Sequence, residues 1–183
     1  MHTEEKIWSY LKAQGLTNAG AAGLMGNLYA ESGLQPNNLQ NSCEKKLGYT
    51  DAVYTAAVDN GKYKNFDTDR AGYGLCQWTH PARKKNLRLF AKNAGKSIGD
   101  LNIQLEFLMK ELAGNFSTVL AVLKKADSVQ EASDMVLLQF ERPADQARRR
   151  RLGGPASARS ISTSIRRKEV AAAWDFPTAR WRR

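Results

Sequence analysis

The sequence predicts a mainly α domain of many short helices with at most a small hairpin. Two observations carry that prediction. Apolar residues recur at helical spacing in one short segment after another. Most of these segments open on a capping residue, and several close on glycine or proline. No internal repeat is present, and so many short helices argue against a β-rich or doubly wound plan.

Taken in order, Thr3 can cap a helix through about Gln14, with Ile7, Trp8, Tyr10 and Leu11 as its apolar side and Gly15 as its stop. Thr17 can cap the next, which carries Leu24, Met25, Leu28 and Tyr29 towards Glu31. Its Gly20, Gly23 and Gly26 would be costly in an exposed helix, so their spacing predicts close packing against another helix. Residues 33–48, rich in Pro, Asn, Gln and Ser, read as loop. A capped helix follows from Thr50 to Val58, ended near Gly61. Residues 62–79 are aromatic and glycine-bearing, suited to a loop or small hairpin. Helices are then expected near 81–93, 100–113 and 117–125, with Asp100 and Ser117 as caps. Ser128-Val129-Gln130-Glu131 fits a capping box opening a last helix to about Phe140, and Pro143 helps to end it.

A chain of 183 residues can bury a working core as one domain plus, at most, an appendage. No segment reaches the roughly 18 apolar residues of a membrane span. The opening Met1-His2-Thr3-Glu4-Glu5-Lys6 lacks a basic stretch followed by an apolar run, so no secretory signal is expected. Two cysteines, Cys43 and Cys76, make no disulfide framework. Free thiols are favoured, with a single bridge left open. The histidines are His2 and His80, and no spacing reads as a metal site. No metal or cofactor is expected.

The net charge of +10 is unevenly divided. Residues 146–183 carry 11 Lys/Arg against 2 Asp/Glu, whereas residues 1–145 carry 17 against 16. The body is therefore almost neutral and the tail strongly basic. Basic residues in the tail are 10 Arg to 1 Lys, against 4 Arg to 13 Lys in the body. Two origins compete for this segment: a cationic arm for an anionic surface, or a frame change in GC-rich coding sequence. The abrupt switch from Lys to Arg favours the second. Under either, a domain at 1–145 and a poorly ordered tail at 146–183 are expected.

Two stretches carry chemistry. In Asn27-Leu28-Tyr29-Ala30-Glu31-Ser32-Gly33-Leu34-Gln35-Pro36 a carboxylate closes a helix just before turn residues. Glutamate is slightly unfavourable at a helix C-terminus, and apolar neighbours would raise its pKa towards that of a general acid. An arbitrary glutamate there is more often simply solvated. In Ala71-Gly72-Tyr73-Gly74-Leu75-Cys76-Gln77-Trp78-Thr79 glycines would let backbone approach a sugar. Tyr73 and Trp78 would stack on pyranose faces, and Gln77 would bond hydroxyl or acetamido groups. The bland alternative is an ordinary turn with core aromatics. A firmly held acid facing such a groove suits glycosidic cleavage, because the leaving oxygen must be protonated.

Together these stretches resemble the phage tail lysozyme family, and more distantly the goose-type lysozymes and lytic transglycosylases. Phe140-Glu141-Arg142-Pro143-Ala144 resembles a third family signature, and Ile7-Trp8-Ser9-Tyr10-Leu11 and Ala22-Gly23-Leu24-Met25-Gly26-Asn27 match as well. The likeness covers roughly residues 5–145 and stops at the tail. It implies a lysozyme-like α+β fold and cleavage of the β-1,4 bond between N-acetylmuramic acid and N-acetylglucosamine. Catalysis would fall to Glu31, and glycan binding to Ser32, Tyr73, Gly74, Leu75, Gln77 and Trp78. Cys76 stands where a small residue would be usual. A single copy of the chain acting on peptidoglycan, delivered by a phage or released to the cell wall, is expected. Neither specific nucleic acid nor a membrane span is implied.

A second carboxylate is open among Glu141, Asp69 and Asp67, of which Glu141 beside Arg142 and Asp69 beside Arg70 could instead be ion pairs. Substrate assistance by the 2-acetamido group would leave Glu31 alone. A cysteine peptidase would need a base for Cys76, and only His80 is near. A binder of nucleic acid or another anionic surface, working through the tail with Trp174 and Trp181, would find no platform on the near-neutral body.

Overall fold

A computed structural model of the chain describes residues 2–141. The Arg-rich segment and the Arg142-Pro143-Ala144 end of the third motif lie outside the described residues, and so does the expectation made for the tail. Eight α-helices run in order: α1 Thr3–Ala13, α2 Asn18–Ser32, α3 Asn41–Leu47, α4 Asp51–Asp59, α5 Pro81–Asn93, α6 Leu101–Ala113, α7 Ser117–Leu123 and α8 Val129–Met135. A π-helical turn, Val136–Glu141, continues directly from α8. The mainly α prediction holds.

Local signals place most helix ends. Thr17 Oγ1 accepts the Gly20 N–H at 2.9 Å, Asp100 Oδ1 that of Ile103 at 3.0 Å, and Ser128 Oγ that of Glu131 at 3.3 Å. Three details differ. His2, not Thr3, is the first N-cap, and Phe116, not Ser117, is that of α7. The expected loop 33–48 contains α3, whose four-residue-spaced Cys43 and Leu47 pack on the core. Polar composition hid a helix that touches the core along one narrow edge.

The central helix is α2, buried from Gly20 through Leu28. Such a helix must be apolar or small all round. A Cβ on Gly20 would stand 1.9 Å from the Leu123 carbonyl oxygen, and one on Gly23 would stand 2.5 Å from Ala132 Cβ. These two glycines let α7 and α8 reach the α2 backbone, as their spacing predicted.

Residues 73–78 form a tight turn closed by an antiparallel bridge between Tyr73 and Trp78, and Tyr73 also bridges Leu39. This turn is all that the expected hairpin amounts to among the described residues. Beneath it Tyr54, Phe66 and Tyr73 pack ring against ring at 5.5–6.0 Å. Lys84, fully buried, donates to Asp69 Oδ1 at 2.5 Å and to the Ala71 carbonyl at 2.7 Å. Both cysteines are free thiols. No helix among the described residues is long and apolar enough to cross a membrane.

Candidate active site

Glu31 occupies the last turn of α2, and the chain reverses immediately after it. Gly33 caps the helix at φ +61° and Leu34 follows at φ +63°. Two successive left-handed residues turn the backbone sharply, and the Leu34 side chain plugs into the core. Ser32 then fixes the direction of this end. Its hydroxyl lies 3.1 Å from the Leu28 carbonyl and 3.0 Å from that of Leu75, either of which it can donate to. The acid-bearing helix end is thereby tied to the glycine-bearing turn.

A buried amide joins the same two motifs from the other side. Gln104 of α6, fully buried, accepts the Leu75 N–H at 2.8 Å and donates to the carbonyls of Pro36 at 2.5 Å and Ile98 at 2.7 Å. Gly74 makes room for it: at φ +74°, a Cβ there would stand 2.6 Å from the Gln104 amide. Sequence reasoning missed Gln104. Its only signal is a polar residue among Ile103, Leu105, Phe107 and Leu108 on a helix.

Between these supports lies a cleft of about 990 Å³ that gathers Glu31, Ser32 and Gln77 with Glu141. Asn38, Gln40, Asn41, Ser42 and Thr79 add amides and hydroxyls, and Arg70, His80 and Arg83 add basic groups. None of these eight was anticipated, since Asn38 to Ser42 read as mere loop.

The remaining expected site residues stand elsewhere. Tyr73 and Trp78 are fully buried, so neither offers a ring face to a sugar here. Tyr73 bonds Thr55 through its hydroxyl at 2.6 Å, and the Trp78 indole donates to Glu111 at 2.8 Å. Gly74 and Leu75 are likewise buried and shape the turn without lining the cleft. Gln77 does line it, but its amide nitrogen faces inward, donating to Asn38 Oδ1 at 2.9 Å and to two backbone carbonyls. Its φ of +45° belongs to that turn.

Of the three second-carboxylate candidates, the cleft takes in only Glu141. Asp67 holds Arg88 bidentately, at 2.8 and 2.5 Å. Asp69 is enclosed by Lys84, Tyr54 and Tyr63, and also accepts the Ala71 N–H. Both brace the loop that leads into the turn. Glu141 reaches the cleft because the π-helical turn re-aims the end of the last helix, an irregularity frequent at functional sites. Burial pushes its carboxyl up to about 7, against a lowering by Arg83.

Cys76 also borders the cleft, but burial holds its thiol well above the ordinary range, so it is a protonated and weak nucleophile at neutral pH. His80 caps α5, its Nδ1 accepting the Ala82 N–H at 3.3 Å. That pair does not make a peptidase centre. Among the described residues no three His, Cys, Asp or Glu side chains are grouped to hold a metal ion.

Two acids and a polar wall thus stand in one groove. The family model for phage tail lysozyme matches residues 2–174, past the last of the sequence motifs and through most of the Arg-rich segment. The chain therefore belongs to the phage tail lysozyme family, a lysozyme-like family of peptidoglycan-cleaving enzymes.

Proposed function

We propose that this chain is a muramidase that hydrolyses the β-1,4 bond between N-acetylmuramic acid and N-acetylglucosamine, with Glu31 as general acid. The observation that carries this reading is the cleft itself: Glu31 and Glu141 share one groove whose wall carries amides and hydroxyls, with Arg70, His80 and Arg83 among them. Such a wall suits the hydroxyl and acetamido groups of a glycan strand. Glu31, half-buried at a braced helix end, protonates the leaving oxygen. Glu141 is the second carboxylate, stabilising the oxocarbenium-like transition state or activating water. A single copy of the chain suffices, acting at the bacterial wall from a phage particle or after release.

One observation favours a division of roles the other way round. Of two carboxyls in one site, the more enclosed keeps its proton to higher pH and serves as acid. Glu141 is raised to about 7, so it holds a proton further towards neutral pH than an ordinary carboxyl and suits the acid's role. The pH–rate profiles of wild type, Glu31→Gln and Glu141→Gln separate the two. An alkaline limb near 7 that vanishes in Glu141→Gln assigns the acid to Glu141.

Mass spectrometry of digested peptidoglycan tests the reaction. Hydrolysis leaves a reducing muramic acid end, whereas a lytic transglycosylase leaves a 1,6-anhydro end. Anhydro products would replace the hydrolase reading by the transglycosylase one. Cleavage products from amide bonds alone would remove the glycosidase reading altogether.

A further inference from the structure

Beside Glu141 stands a group that the proposed chemistry does not use. Glu111 of α6 does not line the cleft, yet donors converge on its carboxylate. Arg83 donates from Nε to Oε1 and from Nη2 to Oε2, each at 2.7 Å. The Trp78 indole donates to Oε2. A two-pronged fork is the geometry in which guanidinium and carboxylate fit best. The two side chains are 25% and 10% exposed, so water screens this pair less than a surface bridge. Phe140 and Phe116 complete the seat, their ring centroids 4.7 and 5.6 Å from the Arg83 guanidinium carbon.

Arg83 lines the cleft together with Phe140 and Glu141. A guanidinium in the same cleft as a carboxyl group can turn to it and hold it ionised. Here the fork is already taken. We propose that Glu111 is a positioning residue: by holding both edges of the Arg83 guanidinium, it keeps that cation from closing onto Glu141 and leaves Glu141 able to carry a proton. The inference rests on reading this groove as the catalytic one, with Glu141 as the carboxyl that holds the proton. The raised carboxyl of Glu141 agrees with it, because burial there outweighs the pull of Arg83.

Other charged or titratable groups also border this space. Glu31 comes from α2, Arg70 and Cys76 from the loop and turn, and His80 from the start of α5. Arg142, next along the chain, lies outside the described residues. The test must therefore change Glu111 alone and then together with Arg83.

The experiment is a pH titration of full-length protein carrying ¹³Cδ-labelled glutamate, followed by NMR. The Glu141 resonance is assigned by its loss in Glu141→Gln. Glu111→Gln keeps an oxygen for the Trp78 indole and removes the charge that holds Arg83. The Glu141 midpoint, about 7 in the wild type, should fall by roughly one unit or more in Glu111→Gln. An unchanged midpoint in folded Glu111→Gln overturns the inference. The double variant Glu111→Gln/Arg83→Met provides the second arm, since it leaves no unpaired buried charge. Its Glu141 midpoint should stay within about one unit of the wild-type one. A fall as large as that in Glu111→Gln would mean that Glu111 acts by its own charge and not through Arg83, and a rise beyond about one unit would mean that Arg83 pairs with Glu141 in the wild type; either overturns the inference. The titration needs no turnover. A wild-type protein inactive on peptidoglycan would remove the functional reading and leave this result standing.

Discussion

The Ser32 hydroxyl lies 3.0 Å from the Leu75 carbonyl, a contact between residues 43 positions apart. It is the direct link between the acid-bearing end of α2 and the turn that walls the cleft. Ser32 thus braces the helix end one residue from Glu31, and it also lines the cleft, where its place in the sequence suggested a ligand to the glycan.

Replacing Glu31 with Gln keeps the shape of the helix end and removes the exchangeable proton. General acid catalysis contributes roughly 10²–10⁴-fold, so kcat on purified peptidoglycan should fall by about that factor. Circular dichroism should remain that of the wild type. Near-normal turnover would remove Glu31 from the chemistry.

Ser32→Ala should act on both stability and rate. It takes a hydrogen-bond donor from the buried Leu75 carbonyl, a loss of about 1 kcal/mol in urea unfolding. With the helix end less firmly held, kcat should drop more than KM changes. Wild-type kcat in this variant would show that the brace does not position the acid.

Gln104→Ala should be the more damaging change. It deprives the Leu75 N–H and the carbonyls of Pro36 and Ile98 of their buried partner at once. Each such group costs roughly 1–3 kcal/mol when left unsatisfied, and a cavity adds to that. Unfolding free energy should fall by at least about 2 kcal/mol. A loss below half of that would show that water replaces the amide.

Glu141 makes stability depend on pH. Its folded-state carboxyl is raised from 4.5 to about 7, so the folded state binds this proton more tightly than the unfolded chain does. Its contribution is therefore greatest below about 4.5 and is lost as pH rises through about 7. Glu141→Gln cannot ionise and escapes that loss. The difference in Tm, variant minus wild type, should grow in the variant's favour between pH 4 and pH 8. A difference that stays flat would mean that Glu141 is not enclosed as described.

The tail can be tested apart from the site. We propose that its basic charge drives adsorption to anionic wall polymers, and such attraction is screened by salt. A chain ending at Leu152 should turn over soluble glycan fragments at nearly the full rate and show reduced salt-sensitive adsorption to whole walls. A large loss of turnover on soluble fragments would make the segment part of the working domain and exclude a frame-change origin.

Every helix but α3, the caps at Thr17, Asp100 and Ser128, the close packing at Gly20 and Gly23, and the position of Glu31 just before a turn were legible in the sequence. Each is a local matter. A cap is a side chain reaching two or three residues along its own backbone, and a helix face is a repeat within a few turns. The direction of side chains across the molecule was not legible. Tyr73 and Trp78 looked like a sugar-stacking pair, but they face each other across a bridge. Residues so paired share one side of the turn, and only the packing of Phe66 and Phe107 beneath decided that this side is the core. Asp67, Asp69 and Glu141 were equivalent as sequence. Tertiary contacts gave the first two to Arg88 and Lys84 and brought the third into the cleft. The sequence by itself determined where the backbone turns and which residue types it carries there. Which acid shares the cleft with Glu31, and which aromatics are hidden, depended on partners tens of residues away, because burial and charge pairing are properties of the space around a side chain and not of its neighbours along the chain.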